Sequence, residues 1–393
     1  MTKPIQKILF GSPGTGKSHQ IKNTIAPKLK VDVSSENYIP TVFHPEYTYG
    51  DFMGKLMPLT DEVGKVEYKF YAGHFLKALA VAYKCLINSA IKYEKDKKEA
   101  LEKYKKEIGI SRQDEFLPDN TQELERRYTA IQRKTQNVLL VIDEINRGNS
   151  AAIFGTVFQL LDRKNNGWSD YPVILSDLEA ISLLKEVGLT KTYMGKDKGY
   201  QHYYYSDPIK EKDYNDYLKH ITSDLSEEDS FDLNNSYIKI PSNLSIIATM
   251  NTSDNSIYFM DSAFKRRWDW EFIEIEDSAQ KVALASCKIL LYEEDKGEWC
   301  EFVDKLNFFI RKNYKVIRKI EDKQVGYRFI NEPTITEIEI KNKLMFFVWD
   351  SVFTNNKKPL VELLQVAENK LVTFGDFTAK TQVKNFVSKI LSQ

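Results

Sequence analysis

The stretch that most constrains this chain is Ile8-Leu9-Phe10 followed by Gly11-Ser12-Pro13-Gly14-Thr15-Gly16-Lys17-Ser18. The apolar tripeptide reads as a short buried strand. The eight residues after it match the phosphate-loop spacing G-x-x-x-x-G-K-[ST]. Glycines let successive backbone N–H groups turn inward and hold phosphate oxygens. A helix starting near Lys17 adds the positive end of its dipole. It meets no breaker over residues 17–25, and Pro27 supplies a stop. Lys17 is expected to reach the β- and γ-phosphates, and the Ser18 hydroxyl to ligate Mg²⁺. Residues 11–18, with His19 next on the helix, are the expected nucleoside-triphosphate cradle. A strand–loop–helix of this kind belongs in an α/β fold with a parallel sheet.

Composition narrows the possibilities by exclusion. The 393 residues allow one large or two ordinary domains, and 42% hydrophobic with 28% charged residues describes a globular chain. With 56 basic and 56 acidic residues there is no global field to recruit nucleic acid, so any such contact must be a local patch. No run of 18 apolar residues is present and the N-terminus enters the first strand directly, so neither a membrane span nor a signal peptide is expected. The three cysteines and five histidines are scattered, which suggests a reducing cytoplasm and no structural metal.

Further along, Tyr38–Phe43 reads as a second strand, leading into the aromatic loop 44–52, where Asp51 is placed to cap a turn. Residues 66–71 alternate like a hairpin arm. Phe75, Leu79, Ala82, Leu86, Ala90 and Ile91 recur at helical spacing, and 92–107 reads as a solvated extension with both charge signs interleaved. Val138–Ile142 is wholly apolar and ends in Asp143 and Glu144. A central strand delivers charge to its C-terminal edge in this way. Asp143 is expected in the Mg²⁺ shell, with Glu144 polarising the attacking water. That pairing argues against a small-molecule kinase, which would waste nucleotide. A helix is expected over 151–161. Residues 176–236, rich in Tyr and Lys, interrupt the alternation. They read as a nucleic-acid stacking surface, a small subdomain or a partner-binding face.

A third central strand, 244–249, leads to Asn251, an amide suited to contact both the γ-phosphate and the attacking water. A short helix over 257–264 ends near Arg266 and Arg267, either surface charge or fingers offered to a neighbouring subunit's nucleotide. From about residue 276 the chain reads as helical, with segments near 279–291, 299–313, 342–353 and 358–370, and Arg328 as the cation nearest the nucleotide. Glu339-Ile340-Lys341 matches a nuclease-like E-x-K fragment but lacks an upstream strand Asp, so a solvated face is expected there.

With these segments placed, the chain resembles the AAA+ motor of the McrB family, the GTP-driven subunits of modification-dependent restriction systems. The likeness is carried by the phosphate loop, by Phe-His-Pro-Glu-Tyr-Thr-Tyr-Gly-Asp-Phe at 43–52, by Ile-Asp-Glu-Ile-Asn-Arg-Gly-Asn at 142–149 and by Met-Asn-Thr-Ser-Asp-Asn-Ser at 250–256. Val-Gly-Tyr-Arg-Phe at 325–329 is a looser echo of a lid motif. The resemblance implies an AAA+ P-loop NTPase core over 1–275, with insertions near 84–135 and 176–236, and an α-helical lid over 276–393. It implies Lys17, Ser18 and Asp143 as nucleotide and Mg²⁺ ligands, with Asp254 and Arg328 completing the nucleotide contacts. Glu144 becomes the catalytic carboxylate, Asn251 the first sensor, and Arg266 with Arg267 the trans-acting fingers. It also implies a hexameric ring and a McrC-like nuclease partner that cuts DNA. GTP and ATP both remain open as substrates, because the phosphate loop reads phosphates and not bases. Asn255 stands where the family signature has an arginine. No DNA-reading domain precedes the phosphate loop, so a partner or the insertions are expected to recognise the target. The competing readings are a MoxR-like chaperone that remodels a partner complex, and a nucleotide-gated scaffold in which Glu144 is idle.

Overall fold

The computed structural model describes residues 3–60, 64–109, 122–193, 200–204, 207–209, 211–223, 225–226, 229–251, 258, 260–275 and 278–393. Its centre is a five-stranded sheet of β1 (Gln6–Gly11), β2 (Tyr38–Val42), β3 (Val138–Asp143), β4 (Leu244–Asn251) and β5 (Asp269–Phe272), in the order β5-β1-β4-β3-β2. β2 and β3 run parallel in register from Tyr38↔Leu139 to Val42↔Asp143. Val138–Ile142 of β3 and Leu244–Thr249 of β4 are buried throughout, as strands covered on both faces must be. The buried Ser245 is satisfied, its hydroxyl accepting from the Ile5 amide at 3.0 Å. The chain is thus α/β, with a parallel central sheet flanked by helices.

Two compact units result. One comprises Met1–Lys7, Lys22–Ile247 and Tyr258–Asp269; the other comprises Ile8–Ile21, Ala248–Ile257 and Trp270–Gln393. This division differs from a cut near residue 275, because the phosphate loop hydrogen-bonds to C-terminal residues and falls with them.

In the first unit, α-helix His74–Glu107 packs against β2 and β3, and its Phe75, Leu79, Ala82 and Leu86 are buried. Among its residues beyond Ala90 only Tyr104 is buried, which matches the solvated extension read from the charge pattern. Residues Gly54–Thr60 and Val66–Ala72 pair as an antiparallel hairpin. Asp51 caps differently from the expectation. It sits inside the short helix Tyr49–Phe52 and its carboxylate reaches back to the Thr48 amide at 3.0 Å and the Thr48 hydroxyl at 2.7 Å. The helix expected over 151–161 is split into an α-turn, Ser150–Phe154, and a tighter 3₁₀ segment, Gly155–Leu161. The insertion forms α-helix Asp177–Val187, a three-stranded antiparallel sheet (Leu189–Tyr193, Tyr200–Tyr204, Asp207–Ile209) and helix Glu211–Thr222. Tyr214 is buried, so at least one insertion tyrosine is core and not a stacking platform.

In the second unit, the expected helix over 279–291 ends at Ala283, and Lys288–Leu291 is a strand. Ile289 and Leu291 point inward while Lys288 and Leu290 face out. Tyr292 and Glu293 then adopt φ of 50° and 69°, the paired positive φ that closes a hairpin onto Glu294–Glu298. Thr334–Thr336 adds in parallel on the other edge. A three-residue apolar run cannot distinguish helix from strand by periodicity, and the hairpin turn decided it. The region is therefore mixed, not purely helical. Its core gathers Trp299, Phe302, Leu306, Tyr327, Leu344 and Phe386. Glu339 is a helix cap: its carboxylate accepts from the Thr336 amide at 3.0 Å and from the Thr336 hydroxyl.

Candidate nucleotide site

The phosphate loop is built as its glycine spacing requires. Gly14 and Gly16 adopt φ of 76° and 82°, with the buried Thr15 between them, and the helix opens at Lys17. Alternating left-handed residues at a helix start turn consecutive N–H groups toward one point, which makes an anion nest. The buried Lys17 Nζ donates to the Gly11 and Ser12 carbonyls, both at 2.9 Å. The Thr15 hydroxyl donates to the Ser12 carbonyl at 3.0 Å. Ser18 and His19 are exposed on the first helical turn. The His19 pKa is lowered, first by burial and then by the Arg328 charge nearby.

The outward carbonyls of the loop are engaged by the C-terminal residues of the same unit. The Gly326 amide donates to the Pro13 carbonyl and the Arg328 amide to the Gly14 carbonyl, each at 2.9 Å. The Ser12 hydroxyl donates to the Glu321 carbonyl at 2.6 Å, and the Gln280 side-chain amide to the Thr15 carbonyl at 2.8 Å. The two backbones approach so closely that a Cβ on Gly326 would lie 2.3 Å from the Gly14 oxygen, and one on Gly14 would lie 2.5 Å from the Phe329 nitrogen. The Arg328 side chain runs beside Gly16, its Nη1 donating to Asn331 at 3.3 Å, while its buried Nε has no hydrogen-bond partner among the described residues. Of these contacts, sequence reasoning singled out only Arg328. Gln280 and Glu321 carry no motif; the glycine of Val-Gly-Tyr-Arg-Phe was the one signal of a close approach.

In the other unit, β3 ends in Asp143, and Glu144 follows it at the start of the next turn. Glu144 holds φ 56°, a left-handed conformation that costs a non-glycine residue roughly 1–2 kcal/mol. Its neighbours hold it there. The Phe43 amide donates to the Asp143 carbonyl at 2.9 Å, the Arg147 amide to the Glu144 carbonyl at 2.9 Å, and the Ser150 hydroxyl to the Ile145 carbonyl at 2.6 Å. Asp143 and burial together raise the pKa of Tyr38, burial being the larger influence. The aromatic loop is the packing support for this edge: Phe43 stacks on Tyr47 at 4.8 Å and meets Phe52 and Phe154 edge-on.

The two arginines separate. Arg266 is exposed. Arg267 is held within its unit: Nη2 and Nε donate to Asp162 at 2.6 and 3.0 Å, Nη1 donates to the Ala263 carbonyl, and the guanidinium stacks 3.9 Å from the Phe158 ring centre. Asn251 is the half-buried last residue of β4. Asp254 and Asn255 lie outside the described residues. Among the described residues, no group of three His, Cys, Asp or Glu side chains is placed to hold a metal by itself, and no helix is long and apolar enough to cross a membrane.

No family model matches the chain. It is similar to a restriction-enzyme component. The relative is component YdiS of the type II restriction enzyme BsuMI of Bacillus subtilis, 28% identical over 381 residues, which is 96% of this chain and 85% of the relative. The similarity thus spans nearly the whole length of the chain.

Proposed function

We propose that this chain is a nucleoside triphosphatase of the AAA+ kind, which hydrolyses GTP or ATP and powers a separate DNA-cleaving partner in a restriction system. The observation that carries the reading is the nest at Gly14–Lys17, with left-handed glycines, a helix opening and a lysine folded into the loop. The buried Nε of Arg328, beside that loop and without a hydrogen-bond partner among the described residues, fits an anionic ligand. Ser18 and Asp143 are the proposed Mg²⁺ ligands, the ion arriving with the phosphates and neutralising their charge. Glu144 orients and polarises the attacking water, and Asn251 senses the γ-phosphate. Arg266 is the proposed finger acting on a neighbouring copy in a homo-oligomeric ring, since Arg267 is committed to Asp162. A McrC-like nuclease is the proposed partner, with DNA bound through it or through the insertions. The restriction-enzyme name of the relative supports this reading over a remodelling chaperone.

The test supplies GTP and ATP with Mg²⁺ to the purified chain, with and without the product of the adjacent gene. Lys17→Ala should lose nucleotide binding, and Glu144→Gln should keep binding while losing turnover. If the wild type binds neither nucleotide, or if the pair hydrolyses neither, the reading is wrong.

A further inference from the structure

The loop at 43–52 does more than pack behind Asp143. Tyr49 leaves that loop and donates its hydroxyl to Glu179 Oε1 at 2.9 Å. Glu179 is buried near the start of helix Asp177–Val187, the first element of the insertion. Its other oxygen accepts from the Ser176 amide at 2.9 Å and the Ser176 hydroxyl at 2.7 Å, so the carboxylate is fixed to the helix end. One edge of the Tyr49 ring lies against Gly155, where an added Cβ would sit 2.9 Å from Cδ2 and 3.0 Å from Cε2. Gly155, at φ 49°, ends the α-turn Ser150–Phe154, and that turn begins six residues after Glu144. Ser150 at its start donates its hydroxyl to the carbonyl of Ile145, the residue that follows Glu144. Burial and the Glu179 charge raise the Tyr49 pKa to about 12, so the hydroxyl stays a donor at any working pH.

We propose that the Tyr49–Glu179 hydrogen bond is a joint through which the first helix of the insertion sets the position of Glu144. Displacing that helix draws Tyr49 off Gly155 and releases the turn whose other end fixes the Ile145 peptide. Tyr49 is a positioning residue here, since nothing places it against a reacting atom. This rests on the proposed hydrolysis, and it makes the insertion regulatory, because whatever loads its first helix changes turnover and leaves nucleotide affinity alone.

The experiment compares wild type, Tyr49→Phe, Glu179→Gln and the double variant for kcat, KM and hydrogen–deuterium exchange over residues 144–155. A misplaced catalytic group loses rate steeply, so Tyr49→Phe should lower kcat about tenfold with KM within about twofold. The double variant should be no slower than the worse single one, because both substitutions act on the same Tyr49–Glu179 contact. Exchange over 144–155 should rise in Tyr49→Phe. Full kcat in Tyr49→Phe, or a raised KM at full kcat, overturns the joint. If the wild type hydrolyses nothing, the hydrolysis reading falls separately. Exchange then decides alone: a rise over 144–155 keeps the joint as a mechanical link, and unchanged exchange removes it.

Discussion

Gly326→Ala is the perturbation that most directly tests how the phosphate loop is held. The added Cβ would meet the Gly14 oxygen at 2.3 Å, the Gly14 carbonyl carbon at 2.4 Å and the Thr15 nitrogen at 2.5 Å, all backbone atoms that cannot rotate aside. Gly326 is not among the positive-φ residues, so alanine introduces a steric conflict without backbone strain. Reaching ordinary contact requires the two segments to part by about 1 Å, and a 2.9 Å bond stretched by that much no longer counts as one. Two bonds go together, from Gly326 to Pro13 and from Arg328 to Gly14. At about 0.5–1.5 kcal/mol each, their loss costs about 1–3 kcal/mol. Holding the segment in place instead costs a similar ~1–3 kcal/mol of overpacking, so separation is at least as favourable. For a unit of this size the expected fall in melting temperature is about 2–10 °C. Gly375→Ala is the control, since its nearest neighbour, the Thr373 hydroxyl, is 3.5 Å away in ordinary contact. The assay is thermal melting paired with amide exchange at Arg328. A Gly326→Ala protein that melts with the wild type and keeps the Arg328 amide protected would refute the interlock.

The arginines should part in behaviour. Arg267→Ala should lower stability by about 1–3 kcal/mol, discounted because Asp162 is partly exposed, as read by denaturant melting. Arg266→Ala should leave stability unchanged and reduce turnover in the proposed ring; equal melting losses for both would contradict their proposed places. Burial, the largest influence, and Lys77 hold the His74 pKa below its ordinary 6.5, and Tyr47 Oη sits 2.8 Å from its Nδ1. A folded pKa below the unfolded one means that the neutral ring's stability is fully present above 6.5 and is lost as pH falls through the folded value. Melting temperature should therefore fall from about pH 8 to about pH 5, and less steeply in His74→Gln. Identical slopes would remove His74 as a contributor.

Local chemistry was legible in the amino-acid order because local rules govern it. The Gly-Lys-Ser spacing dictates a nest, an apolar run of five ending in Asp143 and Glu144 dictates a buried strand with a charged end, and helical periodicity picked out Phe75, Leu79, Ala82, Leu86 and Ala90, all of them buried. Features that depend on residues far apart in the chain were not legible. Lys288–Leu291 pairs as a strand because the turn at Tyr292–Glu293 and the distant Thr334–Thr336 accept it, and a short apolar run contains neither fact. Arg266 and Arg267 are equivalent as letters; they differ because Asp162 and Phe158 lie beside only one of them. The grip of Gly326–Phe329 on the phosphate loop joins segments over 300 residues apart, and only folding brings their backbones within bonding distance. Sequence alone determined which residues the glycine-rich loop and the strand end carry. Tertiary structure decided which of them are held, by what, and which remain exposed, because burial and partner choice belong to the packed chain and not to any stretch of it.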